Sequence, residues 1–314
     1  MGSFNLLTRD DLDGIICAVL LNDLDLISST EFVHPNEIQS REIPISDTDI
    51  LCNLPYHPDA HLVFDHHISE AIRVSDKSGN YVVDPSAPSA ARVIFNHYGG
   101  RKRFPHDRYY TMLDAVDRAD SGAFERHEII DPHGWMLLHF LTDPKTDLNS
   151  VLDFKSSHGE FLQDLVALIN RCDLNIEEVL REPFVQERVN YYRESQPDFV
   201  RNLRQNCDLR DRYIVYDRRN IETKIAGNRF MMFVLYPDAT CSIQLDSLPR
   251  VDKVRISVGK SIFNKSSMAN IGKIMLSLSG GGHESVGSCT VPHQEAGTAL
   301  EYILSELQQA DAPV

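Results

Sequence analysis

Residues 8–18, Thr-Arg-Asp-Asp-Leu-Asp-Gly-Ile-Ile-Cys-Ala, place Asp10, Asp11 and Asp13 within four positions, with Arg9 beside them. Two apolar runs flank the stretch, Phe4 to Leu7 before it and Ile15 to Leu21 after it. The first reads as a buried strand and the second as part of a helix from Gly14 to Asn22. Carboxylates at the mouth of a buried strand need a positive partner, because an unpaired ionised group is costly away from water. The candidates are one metal ion, two metal ions, or the Arg9 guanidinium itself.

The chain on either side supplies the frame. Residues 30–34, Asp49 to Cys52 and Leu62 to Phe64 read as further short apolar strands, and Pro88-Ser89 opens a helix that runs toward Gly99-Gly100. Apolar strands alternating with helices predict an α/β fold with a parallel sheet covered on both faces, whose ligands collect at the carboxyl ends of the strands. Those ends carry the polar clusters: Asp11 and Asp13, then Asn53, then Asp65-His66-His67. From Glu160 to Leu203 the pattern is helical and highly charged. Strands are then expected at Tyr213 to Tyr216, Phe230 to Tyr236, Ala239 to Gln244 and Val254 to Val258, with helices over Met268 to Ser279 and Glu295 to Leu307. The expected organisation is a domain over residues 1–185, a helical linker over 186–210 and a smaller α+β domain over 211–314.

Hydrophobic residues at 42% and charged residues at 25% are the proportions of a globular chain, and no apolar run reaches the length of a membrane span. The expectation is a cytoplasmic protein without a membrane partner, its six cysteines reduced. The formal net charge of -15 disfavours long nucleic acid, since Arg101-Lys102-Arg103 is the sole basic run and reads as a solvated loop. Small phosphorylated substrates remain compatible with that charge, as does a homodimer.

Three segments carry the chemistry. Asp65-His66-His67 crowds ionisable groups at a strand mouth, and imidazole with carboxylate is a ligand set for Mn, Fe or Zn. Asp117-Arg118-Ala119-Asp120-Ser121-Gly122 reads as a helix end closed by glycine, from which a carboxylate can reach the same pocket. Gly280-Gly281-Gly282-His283 permits close backbone approach and reads as an anion nest, with His283 a donor to phosphate or carboxylate. Gly259-Lys260-Ser261 is not a P-loop, because the required earlier glycine is Val254. Lys260 remains a candidate anion contact or a solvated lysine.

Taken in order, Asp-Leu-Asp-Gly, Asp-His-His, Asp-Ser-Gly-Ala-Phe and a distant Gly-Gly-Gly-His resemble the DHH/DHHA1 phosphoesterase superfamily. That family includes oligoribonucleases, bisphosphate phosphatases, cyclic-dinucleotide phosphodiesterases, pyrophosphatases and exopolyphosphatases. The resemblance implies a DHH domain and a DHHA1-type domain with a cleft between them, and a pair of divalent ions, Mn2+ or Mg2+. It implies that Asp13, His66 and Asp120 hold one ion and that Asp11 serves the other. It further implies that His67 faces the substrate phosphate, Asp65 orients the histidines, and Gly280, Gly281, Gly282 and His283 bind substrate.

Two positions depart from that pattern. Arg9 stands where the family has a metal-binding residue, and Asn53 where it has an aspartate bridging both ions. A guanidinium cannot ligate a metal. Beside a divalent ion it adds repulsion of roughly 4 kcal/mol per unit-charge pair at about 4 Å, even at an effective dielectric near 20. The expectation is therefore one ion rather than two, with Arg9 available to a substrate phosphate. Two functions follow: metal-dependent hydrolysis of short oligoribonucleotides or nucleoside bisphosphates, or nucleotide binding without hydrolysis on the same scaffold.

Overall fold

The computed structural model describes residues 3–67, 79–151, 153–221, 224–248 and 251–312. The chain divides into two compact units, Met1–Glu194 and Ser195–Val314.

The first unit is built on strands β1 (Phe4–Thr8), β2 (Ile27–Phe32), β3 (Asp49–Cys52), β4 (Leu62–Asp65) and β5 (Tyr81–Val83). They form an all-parallel sheet in the order β2-β1-β3-β4-β5. Its helices are α1 (Leu12–Asp23), α2 (Pro35–Gln39), α3 (Ala90–His97), α4 (Asp107–Asp120), α5 (Arg126–Ile130), α6 (Gly134–Thr142), α7 (His158–Arg171) and α8 (Ile176–Arg181). Helix α9 (Pro183–Asn206) carries the chain into the second unit.

Helix α1 is buried without a break from Leu12 to Leu21, which makes it a core element, and it packs on α3 and α7. Through it the chain passes from β1 to β2 on one side, then returns to β3 on the other. That reversal beside the carboxyl ends of β1 and β3 is where open parallel sheets bind ligands. The glycine of Asp-Leu-Asp-Gly answers to the tightness of this junction: a Cβ on Gly14 would stand 2.0 Å from the Arg9 carbonyl oxygen.

The second unit contains β6 (Cys207–Arg210), β7 (Tyr213–Asp217), α10 (Met231–Leu235), β8 (Cys241–Leu248), β9 (Lys253–Lys260), α11 (Ile271–Ser277), β10 (Gly281–Gly282), β11 (Val286–Pro292) and α12 (Ala296–Ala310). The sheet order is β10-β11-β9-β8-β7-β6. Among the described residues only the β7–β8 pair of this sheet is parallel. Buried residues alternate along β8, β9 and β11 and join Ile271, Ile274 and Met275 of α11 and Leu300, Ile303 and Leu307 of α12 in one core. One face of the sheet is thus packed by helices.

Two sequence expectations need correction. The run Phe230 to Tyr236 is helical at Met231–Leu235, with Met231, Met232 and Phe233 buried. A short continuous apolar run satisfies strand and buried helix equally. The second strand begins at Ile27, earlier than expected, because its exposed serines disguise it. Among the described residues no helix is long and apolar enough to cross a membrane, and all six cysteines are free.

Candidate functional site

Parallel register aligns the polar strand ends. Thr8 pairs with Cys52 and Cys52 with Phe64, so Arg9, Asn53 and Asp65 follow at one level across β1, β3 and β4. Asp49, the carboxylate of the third strand, opens β3 at the opposite end. There it accepts from Asn5 Nδ2 at 3.2 Å and from the Ser46 amide and hydroxyl at 2.8 Å each. The residue at the ligand end of β3 is therefore the amide Asn53.

Asp13, His66 and Asp120 converge, with one ligand atom from each lying within 4.8 Å of the others. Asp13 is 3% exposed and sits at the amino end of α3, where Ala90 N–H donates to Oδ2 at 2.9 Å and Ala91 N–H to Oδ1 at 2.8 Å. Anions are favoured there by the helix dipole. His66 Nδ1 lies 3.3 Å from the Ala87 carbonyl oxygen, a contact that assigns the proton to Nδ1 and leaves the Nε2 lone pair free. That Nε2 is buried, stands 3.2 Å from Asp120 Oδ2, and yet makes no hydrogen bond.

Burial pushes both carboxyls up to about 7. For Asp13 the neighbouring Asp120 adds to the rise and His66 opposes it, and for Asp120 Asp11 adds while His67 and Arg9 oppose. A buried Asp13 carboxylate, an Asp120 carboxylate whose side chain is 28% exposed and a His66 Nε2 that makes no hydrogen bond suit a divalent ion of the Mn2+ or Mg2+ class, so the residues fit one.

The residues expected at a second ion are engaged with one another. Asp11, expected to serve the second ion, makes three contacts: Oδ1 caps α1 by accepting Gly14 N–H at 3.0 Å and takes Asn53 Nδ2 at 3.4 Å, while Oδ2 takes Arg9 Nε at 3.0 Å. Arg9 is held firmly charged, with Asp11 the largest cause and burial opposing it. Asn53 has positive φ, tolerable for asparagine, and its Oδ1 is buried without a donor. It offers one neutral oxygen and no charge.

Asp65 is fully buried, and its Oδ1 is 2.8 Å from His67 Nδ1. Burial works against the His67 imidazolium, but the hydrogen bond and charge of Asp65, aided by Asp120, outweigh it and raise its pKa. The His67 side chain, 29% exposed, thus has its imidazolium form favoured at the strand mouth.

In the second unit Gly281 and Gly282 form β10, paired with Ser288 and Gly287. Cβ atoms on Gly280 and Gly282 would stand 2.2 Å from Ser288 O and 2.3 Å from Val286 O. Gly280 N–H donates to Met275 O and His283 N–H to Val286 O. Gly280 and Gly282 thus allow close approach of two strands, and the amides of Gly280 and His283 are engaged within the hairpin. Lys260 Nζ lies 3.7 Å from Glu284 Oε1, in the same hairpin region as His283.

Sequence reasoning gave no role to Ala87, Ala90 and Ala91, whose backbone groups contact His66 and Asp13, or to the hydrogen bond between Ser89 and Asp117. The visible signal was Pro88-Ser89, read as a helix start, since the helix it opens supplies two amides to Asp13.

This fold and site define a phosphoesterase of the DHH type, and the chain belongs to the DHH/DHHA1 phosphoesterase superfamily. It is similar along its length to the pGpG-specific phosphodiesterase PggH from Vibrio cholerae, at 38% identity over 98% of this chain and 99% of that one, with a TM-score of 0.80. The fold is shared with a DHH domain described as belonging to a family of ribosomal proteins (13% identity, 99% of this chain, 88% of that one, TM-score 0.62). It is also shared with RecJ in complex with Mn2+ from Thermus thermophilus (13% identity, 99% of this chain, 53% of that one, TM-score 0.51). No family model and no curated protein matches the chain.

Proposed function

We propose that this protein is a metal-dependent phosphodiesterase that hydrolyses short oligoribonucleotides, with 5′-phosphorylated dinucleotides such as pGpG as the preferred class. The observation that carries the reading is the Asp13–His66–Asp120 cluster with its unpartnered imidazole nitrogen. The substrate class is supported by the full-length likeness to a pGpG-specific enzyme and by a net charge of -15 that disfavours long polymers.

Asp13, His66 and Asp120 would hold the ion, which supplies Lewis acidity toward a phosphoryl oxygen and lowers the pKa of water. The remaining residues bind and orient. Arg9 offers a permanent cation to a non-bridging phosphate oxygen, its guanidinium held by Asp11, which in turn accepts from Asn53 Nδ2. His67, whose imidazolium form Asp65 favours, donates to the phosphate or to the departing 3′ oxygen. Addition of water across the bridging P–O bond yields two nucleoside monophosphates from a 5′-phosphorylated dinucleotide. His283 and Lys260 are assigned to substrate binding in the second unit, on the hairpin that the glycines shape.

A second reading, nucleotide binding without hydrolysis, is favoured by one observation, the Arg9–Asp11–Asn53 substitution of a charged ligand set. One assay separates the two. Purified protein with Mn2+ or Mg2+ is incubated with pGpG, other short RNAs, adenosine 3′,5′-bisphosphate and pyrophosphate, and products are resolved by chromatography. Conversion of pGpG to GMP that His66→Ala abolishes supports the enzyme. Binding of pGpG without product supports the second reading.

A further inference from the structure

Three ligands from three different elements have to be brought together, and one short segment ties all of them. Ala87 C=O takes the His66 Nδ1 contact at 3.3 Å. Three residues later Ala90 N–H and Ala91 N–H clamp the two oxygens of Asp13. Between them Ser89, fully buried, caps α3 by accepting Arg92 N–H at 3.1 Å and spends its only proton on Asp117 Oδ1 at 2.6 Å. Asp117 is itself fixed through Oδ2, which accepts Arg92 Nε at 2.9 Å and Nη2 at 2.6 Å. Asp117 and Asp120 lie three residues apart on α4, about one turn.

We propose that Ser89 and Asp117 are positioning residues for the metal centre, their hydrogen bond locking the 87–91 segment to the helix that carries Asp120. The inference rests on the metal-binding reading given above. Asp117 sets the separation between the amides that grip Asp13 and the carboxylate of Asp120, and Ala87 holds the His66 ring in the same frame. Without the Ser89 hydroxyl, Arg92 N–H and Asp117 Oδ1 lose a buried partner and the first turn of α3 is free to fray. Asp13 then loses its two donors and relaxes away from the other ligands. Neither residue touches the ion or the substrate.

The test is calorimetric titration of Mn2+ into the metal-free full-length protein. Ser89→Ala and Asp117→Ala are each expected to weaken Mn2+ binding by about 10- to 100-fold, the range seen when groups that orient metal ligands are removed. The double variant should lose no more than about threefold beyond either single one, because both remove the same link. Phe95→Leu loosens the core side of the same helix; it should lower the thermal midpoint while leaving Mn2+ affinity within about twofold. Folded Ser89→Ala or Asp117→Ala that binds Mn2+ as wild type does, or a double variant with additive losses, overturns the positioning role. If Ser89→Ala fails to fold, Asp117→Ala is read by the same criterion. Wild-type protein that binds no Mn2+ overturns the metal-binding reading and this inference with it. Normal binding by wild type and variants alike overturns this inference alone.

Discussion

Replacing Asp13 by Asn should flatten the pH dependence of stability in the metal-free protein. In the folded chain the Asp13 carboxyl is pushed up to about 7 by burial and then by Asp120, against roughly 3.9 in an unfolded chain. Between those values the folded state binds more protons than the unfolded one. Stability therefore falls as pH rises from about 4 through about 7, and the loss is complete above 7. Three pH units at about 1.4 kcal/mol each set a ceiling of roughly 4 kcal/mol. Only the two pH units between pH 5 and about 7 fall in the assayed window, and with Asp13 titrating against Asp120 we expect a step of about 2–3 kcal/mol there. The stability of Asp13→Asn relative to wild type should improve by that amount between pH 5 and pH 8. His158, whose pKa is lowered to about 4 by burial and then by Arg188, gives an opposite slope at lower pH, but it is common to both proteins and cancels in the difference. Urea unfolding in EDTA at pH 5, 6, 7 and 8 reads the effect. Saturating Mn2+ should reverse the order at pH 8 by stabilising only the wild type. A difference that stays constant within about 0.5 kcal/mol across this range would refute the reasoning.

Three other outcomes follow from the site. Arg9→Ala should raise KM for pGpG by about 10- to 100-fold, the loss of one charge-assisted contact, with kcat less affected. His67→Gln should lower kcat by about 100-fold; in the wild type, activity should decline as pH rises through the raised His67 pKa, because the imidazolium is the useful form, and steady-state rates against pH check both. Arg9→His combined with Asn53→Asp should let a second Mn2+ bind per chain, read by calorimetry, since it restores an imidazole and a carboxylate and removes a cation.

Much of this was legible because it depends on side-chain type and order. Buried apolar strands ending in Asp11, Asn53 and Asp65 predict a parallel sheet with a polar carboxyl edge, and the register places Arg9, Asn53 and Asp65 level as that requires. The grouping of Asp13, His66 and Asp120 was implied by a family resemblance, and these residues converge. What the sequence concealed is of a different kind. The amides of Ala90 and Ala91 act through the backbone, which no side-chain pattern announces. Strand β11 is written in Val-Gly-Ser-Cys-Thr-Val, whose small residues blur the alternation that its burial displays. The Gly280 to Gly282 run looks like a ligand loop because glycine signals close approach without naming what approaches; here it is Val286 and Ser288 of the neighbouring strand.

The central claim, that one divalent ion held by Asp13, His66 and Asp120 supports phosphodiester hydrolysis, is tested most directly by titrating metal-free protein with Mn2+ while following GMP release from pGpG. The account predicts no turnover in EDTA and a rate that reaches its plateau at one equivalent of bound Mn2+. A plateau at two equivalents, or turnover that persists in EDTA, would contradict it.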